Sequence, residues 1–388
     1  MNVILGSLLV TPLLVLLAGS IIYCVLAVIG AARYRASGAP RLATLPPLSL
    51  LRPLSGAADN TEAGLRSVFE QDYPDFEVLL SVHELSDPAV PIARRLMNEY
   101  PHIPSRLIVA GASPFPNAKV WSLRALLSEA RHETLVMSDS DIRLARRSFR
   151  RIVSELEQPG VGLVTCPYRA ASGPRFWARL EALGLNTGFL AGVLTARLMT
   201  GMDFAIGCTV ATRKSDLARI GGLKRLQSYL AEDFAMGSLM RKAGCRVILS
   251  RCIIEHYIGN EGLLASWRHR VRWARSSRRS RPLGYLGELF THTTAIALAL
   301  WLVAPAAWGL CLIGLVFRWG TEWTAGIWVL DDPLVEKYWW LSPFEGVASF
   351  AVWVAGFFGN TIDWRGRRLV VAKDGSFKGA DGDAASAA

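Results

Sequence analysis

An almost wholly apolar stretch, Val3 to Ala32, sets the strongest limit on how this chain can fold. It is longer than the ~20 residues that cross a bilayer and the ~7–15 apolar residues of a signal peptide. No clear basic region precedes it, and Arg33, Arg35 and Arg41 follow it. We therefore predict a transmembrane anchor over residues 1–32, with the domain that follows on the cytosolic side by the positive-inside rule.

The composition is typical of a membrane protein that also carries a soluble domain. Hydrophobic residues make up 51% of the 388 residues, and the formal net charge is +11. Basic residues lie in the middle of the chain and beside its apolar segments, which suits a surface against anionic lipid headgroups. Nucleic acid is the competing partner for such a charge, but the sequence has no helix-turn-helix, zinc or RNA-binding signature. We expect a lipid bilayer and no nucleic acid.

The six cysteines show no Cys-x-x-Cys spacing, and two of them lie inside apolar runs. This pattern indicates reduced thiols facing the cytosol rather than a disulfide framework or a zinc site.

Beyond a linker at Ala39 to Pro47, short apolar strands alternate with helices. The strands are expected at 48–54, 77–82, 105–109 and around Leu135, and the helices at 61–69, 89–99 and 121–129. This βαβ alternation predicts an α/β fold with a parallel sheet, whose ligand lies outside the carboxyl ends of the strands at the topological switch point.

Two carboxylates, Asp139 and Asp141, directly follow the buried strand expected at Leu135 to Met137. Aspartates at this spacing can share a hard divalent cation, which takes carboxylate and phosphate oxygens, so a nucleotide diphosphate is the expected cargo. An ordinary solvated turn is the alternative. The sequence has no Gly-x-Gly-x-x-Gly element and no P-loop, so Mg²⁺ or Mn²⁺ on these aspartates would handle the phosphates instead.

Several short motifs follow one another in a fixed order along the chain. They are residues 67–78, Asp87-Pro88, Asn117-x-Lys119, Asp139-x-Asp141, Glu232-Asp233 and Arg272-Trp273. In this order they resemble the motifs of inverting nucleotide-sugar glycosyltransferases. Within that superfamily the chain is most similar to the ceramide glucosyltransferases and to bacterial relatives that glycosylate hopanoids such as bacteriohopanetetrol. The resemblance implies a GT-A-like, Rossmann-type nucleotide-sugar-binding domain with transmembrane helices at both ends.

The resemblance also implies a donor site. Asp87 would hold the nucleotide base or ribose, and Glu84 would share that role because His83 and Glu84 stand where many relatives have two adjacent acids. Lys119 would reach the phosphate or the uracil, and Asp139 the sugar-nucleotide and metal, with Asp141 as the second metal contact. A turn-forming aspartate before Pro88 and a solvated lysine at a helix start are the structural alternatives for Asp87 and Lys119.

For the transfer itself, the resemblance assigns Asp233 as the base. It begins a predicted helix that runs to Ala243, where we expect the macrodipole to keep it ionised; a helix cap is the alternative. Arg272 would pair with the diphosphate, and Trp273 would form a wall for the acceptor. His269 departs from the family's Gln or Arg. Other arginines of the run 268–281 are expected to contact lipid headgroups; these are Arg275, Arg278, Arg279 and Arg281.

Further membrane segments are expected. Residues 176–204 are interpreted as an interfacial amphipathic helix pair, with buried core packing as the alternative, and 205–214 as a return to the edge of the sheet. Spans are predicted at 295–317 and 344–362 with an aromatic belt between them. Arg365, Arg367 and Arg368 then place the C-terminus in the cytosol, and the tail from Asp374 is expected to be disordered.

These expectations divide the chain into an anchor (1–32), a glycosyltransferase domain (48–290), a C-terminal membrane region (291–365) and a tail (366–388). The predicted function is transfer of glucose or N-acetylglucosamine from a UDP-sugar to a hydroxyl of a membrane lipid, in a multi-pass inner-membrane protein. The alternatives are a processive polysaccharide synthase of the same superfamily and a catalytically decayed lipid-binding membrane protein.

Overall fold

The computed structural model describes residues 2–38, 45–58, 60–364, 367–372 and 376–379. Arg41, Arg365 and most of the expected linker lie outside the described residues. The chain forms two compact units. The sheet unit comprises Gly38–Arg169 and Met202–Ile258, and the helical unit comprises Met1–Ser37, Ala170–Gly201 and Gly259–Ala388.

The sheet unit contains most of the strands of the chain. The strands are β1 (Leu48–Pro53), β2 (Phe76–Val82), β3 (Ser105–Val109), β4 (Thr134–Ser138), β5 (Ile142–Arg143), β6 (Val161–Thr165), β7 (Tyr168–Ala171, which runs into the helical unit), β8 (Thr209–Arg213), β9 (Arg246–Leu249) and β10 (Ile254–Tyr257). Its helices are α2 (Thr61–Phe69), α3 (Ala89–Glu99), α4 (Ala118–Glu129), α5 (Ser148–Leu156), α8 (Lys214–Arg219) and α9 (Glu232–Lys242).

The helical unit contains the remaining elements. Its helices are α1 (Asn2–Ala36), α6 (Phe176–Gly184), α7 (Leu190–Thr200), α10 (Leu263–Ser280), α11 (Pro282–Gly287), α12 (Thr293–Val303), α13 (Trp308–Trp323), α14 (Pro333–Tyr338) and α15 (Ser342–Gly356). Its strands are β11 (Thr361–Trp364), β12 (Arg367–Val371) and β13 (Phe377–Gly379).

The central sheet has seven strands in the order β3-β2-β1-β4-β8-β6-β9. The first four are parallel, as the βαβ alternation predicts. Every residue of β2 and β4 is buried, because helices cover both faces of such a sheet and its strands are mainly apolar. The strand order reverses between β1 and β4, which places the switch point at the end of β4, where Asp139 follows.

The predicted place of residues 205–214 at the sheet edge is wrong. The strand in this segment, β8, lies between β4 and β6 and is antiparallel to both. The sheet is therefore mixed, and the N-terminal end of β8 lies beside the C-terminal end of β4, where the Ser138 and Thr209 hydroxyls are 2.8 Å apart.

Two helices of the described residues, Leu9–Ala36 and Phe176–Thr200, are long and apolar enough to cross a bilayer. A third candidate is the pair Pro282–Thr291 and Thr293–Val303, which is bent by 59°. The chain is therefore membrane-associated. In the helical unit, α1 packs against α12 and α13 around Leu17, Leu300 and Cys311.

Residues 176–200 form one helix with a π-helical turn at Leu185–Phe189. This single helix replaces the interfacial helix pair that the sequence predicts at 176–204. The polar residues that interrupt this segment have partners inside the helical unit. The guanidinium of Arg179 lies 4.9 Å from the ring centre of Tyr338, and the Asn186 amide donates to Asp332 at 2.7 Å. Because these groups are satisfied by the protein, the helix can continue through them.

The single span predicted at 295–317 is interrupted. Residues Pro305–Ala307 form a 3₁₀ turn that separates α12 from α13, because proline cannot donate the backbone hydrogen bond that would continue α12. The tail is also not wholly irregular, since β13 pairs antiparallel with β12.

Candidate active site

The site begins at the end of β4, where the chain turns through Asp139, Ser140 and Asp141. The amide of Asp139 donates to the Cys208 carbonyl at 2.8 Å, which fixes this turn to the start of β8. The ammonium of Lys119 lies 2.7 Å from Oδ1 of Asp139. Burial raises the pKa of Asp139, while the charge of Lys119 acts in the opposite direction.

Lys119 also contacts the first turn of α9. Its Nζ atom is 2.9 Å from Oε1 of Glu232, whose side chain is only 10% exposed. Burial would lower the pKa of Lys119, but the carboxylates of Asp139 and Glu232 hold it well above its ordinary value. The lysine is therefore a paired cation that joins the two acidic segments, and not the solvated residue of the structural alternative.

Asn117 supports this arrangement from the N-terminus of α4. Its Oδ1 accepts from the amide of Val120 at 3.1 Å, as a helix cap does. Its Nδ2 donates to the Tyr229 carbonyl at 2.8 Å and to Oε2 of Glu232 at 3.1 Å. The Asn-x-Lys element thus binds the loop before α9 and both oxygens of Glu232, so its two polar residues place the start of α9 beside the end of β4.

Asp233 lies in the first turn of α9, against the backbone of Gly207. A Cβ atom on Gly207, whose φ is +71°, would lie 2.5 Å from Oδ2 of Asp233. Glycine is therefore required here both for the backbone conformation and for the close approach of the carboxylate.

The expectation that the helix dipole keeps Asp233 firmly ionised is wrong. Burial and the charge of the neighbouring Glu232 raise the pKa of Asp233 to about 7. Lys119 and the amide of Phe234 act in the opposite direction but do not outweigh them. Because this pKa lies near neutrality, Asp233 can accept a proton at neutral pH more readily than an ordinary aspartate.

Asp141 is held differently from Asp139. Its Oδ2 lies 3.3 Å from Nε2 of His256 in β10, and its buried Oδ1 has no hydrogen-bond partner in the part of the chain that the structure describes. Burial opposes ionisation, but the bond to His256 outweighs it and the pKa of Asp141 is lowered. The Asp141 side chain as a whole is 44% exposed, but its Oδ1 is buried, so the unsatisfied acceptor does not face solvent.

The carboxylates of Asp139 and Asp141 are the candidate ligands for a divalent cation. Across residues 2–38, 45–58, 60–364, 367–372 and 376–379, no group of three or more His, Cys, Asp and Glu side chains is gathered that could hold a metal. Magnesium is commonly held by one or two carboxylates together with substrate phosphates. Asp139 and Asp141 supply this number, and Oδ1 of Asp141 is a buried acceptor for which the described residues provide no donor. The donor set fits a cation that binds with a nucleotide diphosphate.

Asp87 and Glu84 lie on the turn between β2 and α3. The carboxylate of Asp87 accepts from the amide of Gly56 at 3.0 Å and from that of Ala89 at 2.8 Å. It therefore joins the loops that follow β1 and β2 at the carboxyl end of the sheet. Glu84 is exposed on the same turn. Their contact with a nucleotide stays a prediction.

The remaining predicted site residues lie on α10 in the helical unit. Nδ1 of His269 is 2.6 Å from Oε1 of Glu181, and the ring of His269 lies 5.3 Å from that of Trp273. Trp273 is 37% exposed and also meets Phe189 edge-on. The convergence of Arg272 and Trp273 with Asp233 stays a prediction, because they belong to the other unit.

Two arginines of α10 have partners that the headgroup interpretation did not foresee. Arg275 donates to the carbonyls of Phe358 and Thr361, and Arg278 donates to those of Phe357 and Gly359. They bind the carbonyls that follow α15, where basic groups are favoured at a helix C-terminus.

A family model for glycosyl transferase family 21 matches residues 12–377. The chain belongs to glycosyl transferase family 21. This confirms the ceramide glucosyltransferase-like family that the order of the motifs predicts.

Similar proteins from eukaryotes agree with the family. Ceramide glucosyltransferase 1 of Caenorhabditis elegans is 25% identical over 209 residues, which are 53% of this chain and 44% of that protein. Ceramide glucosyltransferase of Komagataella phaffii is 30% identical over 115 residues, or 29% of this chain and 23% of that protein. The chain therefore matches less than half the length of these relatives.

The fold is shared with the mannosyltransferase PcManGT from Pyrobaculum calidifontis, solved in complex with GDP-Man and Mn²⁺. The TM-score is 0.54 at 18% identity, and the match covers 90% of this chain and 99% of that one. This likeness confirms the GT-A-like glycosyltransferase fold.

Three residues of this family 21 chain lie at the site although no role was predicted for them from the sequence. Glu232 bonds to Lys119 and Asn117, and its place beside Asp233 was the available signal. Arg52 is a lone charge in an apolar strand, which indicates a buried partner. His256 carried no such signal, because a lone histidine in a short strand is ordinarily a core residue.

Proposed function

We propose that this protein is an inverting glycosyltransferase that moves glucose or N-acetylglucosamine from a UDP-sugar to a hydroxyl of a membrane lipid. The observation that carries the proposal is the cluster at the end of β4. There Lys119 bonds to both Asp139 and Glu232, beside Asp233 with its pKa of about 7. A raised carboxyl pKa beside a paired lysine and a second carboxylate is typical of catalytic sites.

Inverting transfer needs one base, which removes the acceptor proton as the oxygen attacks the anomeric carbon from the face opposite the leaving group. Asp233 is the group we assign. At neutral pH about half of a carboxyl population with a pKa of about 7 is ionised, and its conjugate acid holds the proton more strongly than an ordinary aspartic acid does. The packing of Gly207 against Asp233 fixes the position of the carboxylate.

The leaving group is a nucleoside diphosphate, whose negative charge must be stabilised. Asp139 and Asp141 would hold Mg²⁺ or Mn²⁺, which as a Lewis acid neutralises the diphosphate oxygens. Arg272 would pair with the same oxygens, since a guanidinium binds phosphate in bidentate fashion. Asp87 and Glu84 would bind the nucleoside, and Trp273, with His269 beside it, would bound the acceptor.

A lipid acceptor is supported by the apolar helices and by the family. The similar proteins of Caenorhabditis elegans and Komagataella phaffii are named as ceramide glucosyltransferases. We propose a ceramide-type or bacteriohopanetetrol-type lipid, with its head presented at the inner membrane surface. Arg33 and Arg35 in the last turn of α1 support a cytosolic position for the residues that follow, and the several apolar helices support a multi-pass arrangement.

The test uses the full chain in lipid nanodiscs with UDP-glucose or UDP-N-acetylglucosamine and either ceramide or a polyol hopanoid. At least one pairing should release UDP and yield a glycolipid with inverted anomeric configuration. The Asp233→Asn variant should lose this activity. Asp75→Asn, which changes an exposed aspartate of the same unit, should retain it.

The alternatives give different results in the same assay. A ladder of sugar polymer would indicate a processive synthase. Binding of UDP without turnover of any donor and acceptor would indicate a decayed lipid-binding protein. UDP release that persists in Asp233→Asn would reject the assigned base.

A further inference from the structure

Helix α15 is too short to cross a bilayer, although its residues are mainly apolar. Its 15 residues extend ~22 Å, whereas the hydrocarbon core of a bilayer is ~30 Å thick. Among the described residues, the helices that are long and apolar enough to cross do not include α15. The span predicted at 344–362 therefore lacks the helical length that a crossing needs.

The outer face of α15 carries a continuous apolar stripe. Phe344 is 62% exposed, Val347 45% and Val354 37%. Together with the exposed Ala351, they recur at intervals of three and four residues and so lie on one face of the helix. Glu345, by contrast, is buried. Because a helix at a water-facing surface has its polar residues outside, the reversed pattern of α15 indicates an apolar partner.

Helix α10 sets the depth of α15, since the two helices pack against each other. Nη2 of Arg270 lies 3.0 Å from Oε1 of Glu345 near the start of α15. Nη1 of Arg278 donates to the Phe357 carbonyl just past its end, at 2.8 Å. Six of the 18 residues of α10 are arginines, of which Arg268 is exposed, and charged side chains are costly in hydrocarbon. A helix held to α10 at both ends therefore lies with it at the polar boundary of the membrane.

The neighbours of the stripe favour the bilayer as its partner. Helix α15 also packs against α12, where a Cβ atom on Gly346 would lie 2.8 Å from Oγ1 of Thr294. Helix α12 is the second limb of the bent pair that is long and apolar enough to cross. Trp339 and Trp340, just before α15, are more than half exposed, and tryptophan is enriched at membrane–water interfaces. The stripe thus continues the lipid-facing surface of the membrane helices.

We infer that α15 is a surface helix of the membrane. It lies at the boundary between headgroups and acyl chains, with the stripe of Phe344, Val347, Ala351 and Val354 on the acyl chains. The chain does not cross the bilayer at this helix, so α10 and the strand β11 that follows α15 lie on the same side of the membrane. The inference requires no assumption about sugar transfer.

The experiment measures the depth of single nitroxide labels in the full chain in nanodiscs, from their accessibility to oxygen and to a water-soluble nickel chelate. The native cysteines of the described residues are buried, so an added exposed cysteine is labelled in preference. Labels at Phe344→Cys, Val347→Cys and Val354→Cys should share one shallow depth. Ile22→Cys, an exposed position in the middle of α1, should lie ~15 Å deep, half the thickness of the core. Asn98→Cys, exposed on α3, should be reached by the chelate only.

Three outcomes would overturn the inference. Labels at Val347→Cys and Val354→Cys as deep as that at Ile22→Cys would show that α15 crosses the bilayer. Labels as open to the chelate as that at Asn98→Cys would show that the stripe faces water. Labels that neither reagent reaches would show that protein covers the stripe, either a second copy of the chain or another partner. Thermal unfolding identifies any variant that fails to fold, and the labelled positions of the stripe then substitute for one another.

Discussion

The ammonium of Lys119 lies 2.7 Å from Oδ1 of Asp139, and the same nitrogen lies 2.9 Å from Oε1 of Glu232. One cation therefore joins the end of β4 to the start of α9. These are the two segments that carry the proposed metal ligand and the proposed base.

The Lys119→Met variant should lose this link. A hydrogen bond to a charged group contributes ~1.5–3 kcal/mol, so we expect kcat/KM to fall ~10- to 100-fold in a UDP-release assay. Lys224→Met, which changes an exposed lysine of the same unit, should leave kcat/KM unchanged. An unaltered kcat/KM in Lys119→Met would show that the ion pairs of Lys119 with Asp139 and Glu232 do not contribute to catalysis.

The pH dependence should report the environment of Asp233. Because the base works in its ionised form, kcat/KM should rise with pH through an acidic limb near pH 7 and then level off. The charge of Glu232 raises the pKa of Asp233 and that of Lys119 lowers it. Glu232→Gln should therefore move the limb to lower pH, and Lys119→Met should move it to higher pH. Shifts in the same direction, measured as full pH profiles, would contradict this electrostatic account.

Gly207→Ala should displace the base. The new methyl group would lie 2.5 Å from Oδ2 of Asp233, and a displacement of ~1 Å can cost ~100-fold in rate. Gly222→Ala is the matched control, since its φ is +68° and no described residue beyond its chain neighbours comes within 4 Å of the added methyl group. Both variants should lose ~1–2 kcal/mol of stability from the left-handed backbone. Only Gly207→Ala should lose activity per folded molecule, and equal losses would argue against the close contact.

Glu345→Gln should destabilise the helical unit. Glu345 is buried and lies 3.0 Å from Nη2 of Arg270 and 3.8 Å from Nη2 of Arg318. Removing one partner of a buried ion pair costs ~3–5 kcal/mol, because it leaves an uncompensated charge. Glu129→Gln breaks an ion pair with Arg106 whose glutamate is 47% exposed, so it should cost ~0–1 kcal/mol. The free energy of unfolding of both variants is measured in detergent. Similar small losses of stability in the two variants would contradict the role of Glu345.

The parallel half of the sheet could be predicted because its signals are local. Three elements have the bounds that their apolar spacing indicates, namely the helices Thr61–Phe69 and Ala89–Glu99 and the strand Ser105–Val109. The place of β8 could not be predicted, because the five residues Thr209–Arg213 suit an edge and an interior strand equally and their partners lie far away in sequence.

The candidate site was predictable where residue type defines the chemistry. Asp139, Asp141, Lys119 and Asp233 all lie in the sheet unit, and Lys119 bonds to Asp139. The partners of Arg275 and Arg278 were not predictable, since a guanidinium binds lipid phosphate and backbone carbonyl alike. The pKa of Asp233 depends on burial and on the charge of Glu232, and only the three-dimensional structure shows whether they outweigh the helix dipole.

The insertion of β8 between β4 and β6 also affects how the protein is made. Ser138 and Thr209, whose hydroxyls meet across β4 and β8, are 71 residues apart in sequence. Pairings across such a separation form slowly, because the loop between them must close first. During synthesis, the free edge of β4 therefore waits for the β8 segment to leave the ribosome, exposed to mispairing with other chains. Cys208, whose carbonyl accepts from the amide of Asp139, arrives at that same late step, so translation slowed between these strands should lower the yield of active enzyme more than a delay elsewhere.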